Sequence, residues 1–549
     1  MRKYEKNVNI SVNAISGNHT ILLGIDVKEE NTCDLLGFAI HRTDHTEDEA
    51  YWLKGFKIFE ENKDFLIKPG QLVSTLENPI QGFQWGDYTV KPSHEYTYRI
   101  VPLYGKPKNL QEGTDVKIKI SSESLDNDKH TVFFNRGAAA SQAYSLKFDH
   151  LQPSEVPDCK AYKWLSRGLR KGLLNFIAQA NGPKYALRAA VYEFNYLPVL
   201  EALKKSADQG SDVKIIYDAR KGDGNPVTES DKAIENVGIR NLMVQRTKNP
   251  SFISHNKFII LLEDGNPIEV WTGSTNVTEG GIFGHSNVGH IVRNAKVAQM
   301  YYDYWQQLYN NPEASALRKW NDKNSPLPDC LPPKGITTIF SPRGSLKALE
   351  WYANLMDNAQ SCVCFTAAFG VNPCLENILS KDKSYLRYIL LETPGKNVKM
   401  ITQDKDVQVA IGSKLKGNES DRTLKEWLTN LNVHVRYVHT KYMLIDPLSE
   451  DPITITGSAN FSNASTKNND ENMLIDRGDT RLADCYLSEF MRLFNHFYFR
   501  DVVNRMSAEP DTDQHSSTYL KSDNSWTVPY YQANSVKCKK RLLFRGSDS

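Results

Sequence analysis

Along the first part of the chain, apolar and polar residues come in short runs. Leu35–Arg42 is largely apolar and Tyr96–Val101 is β-branched and aromatic, while Gly82, Gly86-Asp87 and Pro92-Ser93 between them supply turn chemistry. This spacing predicts an all-β sandwich over residues 1–120, with a tyrosine near a late strand placed to make a corner hydrogen bond. Residues 121–150, running through Asp126-Asn127-Asp128-Lys129 to Asn135-Arg136-Gly137-Ala138-Ala139-Ala140, read as a connector.

The pattern then changes to alternating strands and helices. Tyr185–Tyr192 is strand-like, and Tyr196–Gln209 carries Leu200 and Leu203 on one helical face with Gly210 at the C-cap position. Val213–Asp218 is a short buried strand, completing a strand-helix-strand unit. Ser325–Lys334 holds four prolines in ten residues, which neither a helix nor a central strand tolerates, so a linker over 325–335 is expected. Beyond it the pattern restarts, with a helix at Leu346–Ala359, a strand at Cys362–Thr366 and a strand-like run at Asn397–Thr402. The expectation is two α/β domains, 151–324 and 336–504, with a tail over 505–549.

Composition narrows the class. Hydrophobic residues are 40% and charged residues 24% of 549, which fits a folded globular chain. Lys and Arg number 67 against 65 Asp and Glu, too balanced for a protein that holds nucleic acid by bulk positive charge. The first 120 residues carry 15 Lys/Arg and 17 Asp/Glu, so the remainder is only slightly basic. No apolar run approaches the roughly 18–20 residues of a membrane span, and Met1–Asn7 leads into no signal-peptide core, so the expected compartment is the cytoplasm, with peripheral membrane contact left open. The eight cysteines form no CxxC pair and no zinc-like grouping; Cys362 and Cys364 should share one face of a strand and pack in a core.

The duplication becomes specific at two places. His255-Asn256-Lys257 is followed 18 residues after its His by Gly273-Ser274-Thr275-Asn276, and His439-Thr440-Lys441 is followed at the same offset by Gly457-Ser458-Ala459-Asn460. A His-x-Lys alone carries no information, but a Gly-Ser-x-Asn at a fixed offset has a chance probability on the order of 10⁻⁴, and here it recurs. His and Lys two apart on a strand share a face, and the tetrad would sit at the end of the neighbouring strand. Face to face, the halves would gather two His, two Lys and two Asn. That set suits a phosphodiester: one imidazole attacks phosphorus, the other protonates the leaving alkoxide, and Lys and Asn hold the non-bridging oxygens. No carboxylate cluster is required, so no metal and no cofactor is expected.

These paired motifs resemble the phospholipase D superfamily over roughly 150–500, and the N-terminal sandwich resembles a fibronectin type III or Ig-like module by pattern. The first resemblance implies two α/β phospholipase D-type domains forming a pseudo-dimer around one site, with a phosphohistidine intermediate and no metal. It carries catalytic roles to His255, Lys257, Asn276, His439, Lys441 and Asn460, a small-hydroxyl, phosphate-binding position to Ser274 and Ser458, and the motif acid to Asp446. It also implies that Glu471, in Asn469-Asp470-Glu471, accepts a ring proton from a His, taken to be His439.

The first motif departs from the pattern. Leu262 stands where the Asp is expected, and the position equivalent to Glu471, 11 residues after the motif Asn, is Asn287. His439 is therefore the better nucleophile candidate, with His255 retained as the alternative. His285 and His290 flank Asn287 and read as surface residues; Asp446 also reads as a support for its strand end. The Lys537–Arg541 run reads as a solvated terminal charge cluster, and Trp526, Pro529, Tyr530 and Tyr531 as anchors of the tail. The functional expectation is a phospholipase D-type hydrolase or phosphatidyl transferase; the alternative is a metal-independent nuclease, and the third reading is a scaffold that has lost activity. A phosphodiester substrate is the expected partner, and the oligomeric state is open.

Overall fold

The computed structural model describes residues 1–62, 72–137, 141–149, 151–221, 225–249, 252–395, 397–412, 437–508 and 519–546. The N-terminal region folds as expected into two antiparallel sheets. One holds strands Arg2–Lys6, Ile10–Ser16, Ile21–Val27 and Gln84–Asp87; the other holds Leu35–Asp44, Glu49–Trp52, Glu95–Lys106, Asn109–Glu112 and Val116–Ser121. Their inward faces bury Val12, Leu23, Phe38, Ile100 and Ile118 in one core. The Tyr96 hydroxyl accepts the Lys91 backbone N–H at 3.0 Å, the corner bond expected for such sandwiches.

Two seven-stranded mixed sheets follow. The first contains β1 (His130–Phe134), β2 (Tyr185–Val191), β3 (Asp212–Asp218), β4 (Met243–Arg246), β5 (Lys257–Glu263), β6 (Asn266–Gly273) and β7 (Val288–Val292), in the order β1-β7-β6-β5-β2-β3-β4. The second contains β8 (Gly335–Ser341), β9 (Cys362–Ala367), β10 (Leu386–Leu391), β11 (Val407–Ile411), β12 (Tyr442–Ile445), β13 (Ile453–Gly457) and β14 (Glu471–Arg477), in the order β8-β14-β13-β12-β9-β10-β11. The two orders are identical, strand for strand, which makes the pair a pseudo-dimer within one chain. In each sheet the second, third and fourth strands run parallel, joined by helical crossovers, and the other pairings are antiparallel.

Three expectations change. Residues 121–150 are no simple connector, because His130–Phe134 forms an edge strand of the first sheet, antiparallel to β7; Ala138, Ala139 and Ala140 lie outside the described residues. Val398–Ile401 is one helical turn where a strand is expected. The basic run of the tail is not a solvated charge cluster. Val536–Phe544 is a helix in which Lys539 pairs with Asp406, Arg541 pairs with Asp26 and Arg541 stacks on Tyr531 at 4.2 Å. Trp526 enters the sandwich core and donates to the Leu35 carbonyl at 2.8 Å, so the tail anchor does hold.

Cores on both faces of each sheet hold the halves together. The helix Ala295–Tyr309 of the first half packs Tyr301 and Tyr304 against Phe340 and Leu474 of the second. The helix Thr480–Ala508 packs Tyr486 and Phe490 across β1, β7, β9 and β12. Cys362 and Cys364 lie in that core with their sulfurs 3.9 Å apart, as their spacing predicts. Among the described residues, no helix is long and apolar enough to cross a membrane.

Candidate active site

In each half, three elements end at one edge of the sheet. His-x-Lys leads into the fifth strand (Lys257 opens β5, Lys441 immediately precedes β12), the glycine of Gly-Ser-x-Asn closes the sixth (β6, β13), and Asn287 or Glu471 stands at the start of the seventh (just before β7, first in β14). The glycines have a steric reason. A Cβ on Gly273 would lie 2.3 Å from the Val288 carbonyl, and one on Gly457 would lie 2.3 Å from that of Asn472. Only glycine lets the seventh strand come this close.

The halves dock edge to edge by backbone pairing. Ser254 bridges Asp470, and Ser286 bridges Val438. His255 N donates to Asp470 O at 3.0 Å, and His439 N donates to Ser286 O at 3.3 Å. Each histidine therefore sits beside the seventh strand of the opposite half. Glu471 Oε2 lies 2.9 Å from His255 Nδ1, and Asn287 Oδ1 lies 2.9 Å from His439 Nδ1. This reverses the expected partnership: the carboxylate serves the first histidine, across the interface, and the amide serves the second. The physical reason is the docking itself, which places each half's orienting residue against its neighbour.

Both orienting groups are fixed in turn. Ser458 Oγ donates to Glu471 Oε2 at 2.6 Å and accepts from Asn472 N at 3.1 Å. Ser274 Oγ donates to Asn287 Oδ1 at 2.8 Å and accepts from Val288 N at 3.0 Å. The expected phosphate contact of Ser274 and Ser458 gives way to this role, because both hydroxyls are occupied in holding the groups that orient the histidines. Asn287 Nδ2 is spent on the Gly281 carbonyl at 2.7 Å, so its oxygen faces His439 and leaves the proton of a neutral ring on Nδ1. Glu471 is fully buried; burial alone would raise its carboxyl, but the neighbouring His255 and Lys257 hold it below the usual range.

The lysines converge. Lys257 Nζ donates to His255 O and Lys441 Nζ to His439 O, both at 2.6 Å. Burial pushes Lys257 down to about 8, and burial with Lys257 beside it pushes Lys441 well down. His255 is pushed down to about 4 by burial, against the pull of Glu471, and feels both lysines. His439 is driven well below its ordinary range by burial, then Lys441, His285, Lys257 and His255. Four groups from the two motifs thus share one electrostatic environment, in which Glu471 and Glu193 offset part of the mutual repulsion of the cations.

The motif asparagines also reach this edge. Asn276 Nδ2 donates to Glu193 Oε2 at 2.5 Å, and the side-chain oxygens of Asn276 and Asn460 are buried without partners. Glu193, whose charge acts on both lysines, is absent from the sequence reading because the turn after β2 has no motif. Tyr192 is a second such residue, with its ring 5.0 Å from that of His255 and 5.3 Å from Lys257 Nζ. His285 and His290 are buried rather than on the surface. His285 packs on His439 with ring centroids 4.5 Å apart, and His290 sits 2.9 Å from His130 in a network with Tyr486. Among the described residues, no group of three or more His, Cys, Asp and Glu could hold a metal ion.

Asp446 stands apart from the catalytic expectation. It lies five residues beyond Lys441, ~16 Å of extended chain. Its Oδ1 accepts the backbone N–H groups of Ser361 at 2.6 Å and Cys362 at 3.0 Å, and its Oδ2 accepts that of Gln360 at 2.9 Å. It fastens the start of β9 to the end of β12. Asp446→Ala should cost ~1–3 kcal/mol in a denaturation midpoint while the folded fraction keeps kcat/KM within about threefold. A specific loss of turnover at unchanged stability would return Asp446 to the chemistry.

Stability should depend on pH. His19, His255, His290, His439 and His496 all titrate below the ordinary 6.5, in each case first because of burial. Below pH 6.5 the unfolded chain takes up protons that the native state refuses until about pH 4 for His255 and His496, so stability falls as pH falls. Glu471, held low in the native state, acts in the same direction. Each such proton contributes ~1.4 kcal/mol per pH unit. The melting temperature should be clearly lower at pH 5 than at pH 7.5; equal values would contradict the buried neutral histidines.

Residues 173–309 and 360–494 match a family model described as the PLD-like domain of cardiolipin synthase. Three solved structures resemble parts of the fold. Polyphosphate kinase from Porphyromonas gingivalis is 11% identical over 58% of this chain and 46% of its own, with a TM-score of 0.38. Phosphatidylserine synthase from Haemophilus influenzae Rd KW20 is 10% identical over 65% of this chain and 94% of its own, with a TM-score of 0.44. Nuc from Salmonella typhimurium, a phospholipase D family member, is 30% identical over 26% of this chain and 87% of its own, with a TM-score of 0.22. The chain thus spans less than half the length of the polyphosphate kinase. No curated protein sequence matches it.

Proposed function

We propose that this chain, which belongs to the phospholipase D superfamily through its two PLD-like α/β halves, cleaves phosphodiesters through a phosphohistidine on His255. The observation that carries the proposal is the inequality of the two histidines: His255 holds a buried carboxylate at 2.9 Å, and His439 holds an amide at the same distance. A carboxylate stabilises the positive charge that an imidazole acquires when Nε2 bonds to phosphorus; a neutral amide fixes the tautomer and stabilises that charge less.

The steps follow from the charges. A diester anion entering between Lys257 and Lys441 adds negative charge beside His439, whose own ring partner is a neutral amide, and so raises His439 enough to carry a proton. His255 Nε2 attacks phosphorus, the P–O bond to the leaving group breaks, and His439 gives its proton to the departing alkoxide. Lys257, Lys441 and the amides of Asn276 and Asn460 hold the non-bridging oxygens as charge builds. Water then attacks the phosphohistidine, giving its proton to His439, and His255 is released. Charge neutralisation falls to the two lysines, so the reading needs no metal.

For the substrate, the near-neutral composition and the name of the matching family model favour the phosphatidyl group of a phospholipid over nucleic acid. The test is to incubate the purified full chain with phosphatidylglycerol vesicles or single-stranded DNA, with and without EDTA. Release of the headgroup alcohol, unchanged by EDTA, is the expected result. Cleavage of DNA alone would move the substrate to nucleic acid, and abolition by EDTA would sink the metal-free mechanism.

A further inference from the structure

A second cluster of cations lies where the N-terminal sandwich, the first half and the helix Thr480–Ala508 meet. Arg167 Nη2 donates to Glu489 Oε2 at 2.7 Å, and Arg492 holds both oxygens of the same carboxylate, at 2.6 and 3.0 Å. Arg492 also donates to the Arg136 carbonyl at 3.2 Å. Arg136 itself donates to Trp164 O at 3.0 Å and lies over the Trp164 ring at 4.3 Å. His19, on a turn of the sandwich, feels all three guanidinium groups and is held neutral.

The charges do not balance. Glu489 is the one carboxylate among the described residues whose charge reaches Arg136 and Arg167, and its oxygens are already taken by two arginines. Arg167 is 6% exposed, yet its Nε and Nη1 are buried without any acceptor. Burial and the neighbouring guanidiniums push Arg136 down to about 9, and Arg167, despite Glu489, down to about 10. Two buried guanidinium groups and a third half-buried one against one anion, with two unused guanidinium donors, make an arrangement that lacks a partner rather than one that stabilises a fold.

We infer that Arg136, Arg167 and Arg492 form a second anion site, distinct from the paired histidines, for a tetrahedral phosphate-class anion. Guanidinium forks match the oxygens of such an anion two at a time, and Arg136, half-buried at the edge of the cluster, gives the route in. The site is also wired to the chemistry. Asn135, beside Arg136, donates to His285 O at 2.9 Å and accepts from Asn287 N at 2.9 Å, so it braces the loop that orients His439. The anion is either free or a second phosphate on the substrate; the chemistry of recognition is the same.

The test titrates inorganic phosphate into the full chain by calorimetry, in a Lys257→Gln background that weakens binding between the paired histidines. Lys257→Gln should keep one phosphate site, and adding Arg136→Gln should weaken it at least tenfold. Arg136→Lys, which keeps the charge but loses the fork, should fall between. In phosphate-free chloride buffer, Arg136→Gln should melt at or above the wild-type temperature, because it removes an uncompensated cation; phosphate should then raise the wild type and not the variant. Loss of all phosphate binding in Lys257→Gln, unchanged binding after Arg136→Gln, or a lower melting temperature of Arg136→Gln without phosphate would each overturn the site. The source is read separately. A raised KM in Arg136→Gln only for a diester bearing a second phosphate identifies the substrate, and no change for either diester identifies a free anion. This proposal stands on its own charges and survives a failure of the phosphohistidine mechanism.

Discussion

His255→Ala should lower phosphodiester cleavage to background, a loss of about 10⁴-fold or more, because no other group on the Glu471 side can form the covalent intermediate. His439→Ala should differ in kind. With an alkyl leaving group it should be nearly as slow, since the alkoxide departs unprotonated. With p-nitrophenolate as leaving group, attack needs no acid; a burst of about one equivalent should precede a stall, because nothing activates the hydrolytic water. The trapped phosphate should be acid-labile and map to His255. A burst in His255→Ala, or phosphate mapped to His439, would reverse the assignment. Activity of His255→Ala within tenfold of wild type would remove the site altogether.

Glu471→Gln carries the second large effect, a fall in kcat/KM of ~10³-fold. The buried carboxylate is the acceptor for both His255 Nδ1 and Ser458 Oγ, and an amide in its place keeps the shape but supports an imidazolium less and can present the wrong group to the ring. The comparison that makes this specific is Asn287→Ala, which removes a neutral orienting group from His439 and should cost ~10–100-fold. A positioning role for Glu471 also predicts a pH effect. Glu471 pulls His255 upward against burial, so the acidic limb governed by His255 should move to lower pH in Glu471→Gln. Equal losses at Glu471 and Asn287, with unmoved pH profiles, would mean that both residues serve folding alone.

The sequence carried the architecture further than the partnerships. Two His-x-Lys and Gly-Ser-x-Asn pairs at one offset imply a duplicated half, and the sheets bear this out with one strand order in both. Helix and strand positions in the crossovers were legible because hydrophobic periodicity is local, as at Leu197–Asp208 with Gly210 just beyond. Which residue serves which histidine was not legible. His255 and Glu471 are 216 residues apart, and their pairing arises only when one half docks on the other. Val398–Ile401 misled for a related reason: two β-branched residues in a short run favour a strand, and the helical turn is set by the surrounding fold. The tail's basic run gave no sign of its partners, because Asp26 and Asp406 lie far away in the chain. Glu193 and Arg167 belong to no motif and became visible only through the charges around them.

The return of the tail to the N-terminal sandwich bears on the order of synthesis. The module leaves the ribosome before the two α/β halves, but its core is closed by Trp526, and Asn13 donates to the carbonyl of Phe544. At ~5–20 residues per second, roughly 20–80 s separate the emergence of residue 120 from that of Trp526. For that interval the nascent sandwich presents an open apolar slot beside Phe38 and Phe83, the ring neighbours of Trp526 in the finished protein. The sandwich, made before the α/β halves, is completed after them, and a chain terminated before Trp526 would carry that slot unfilled.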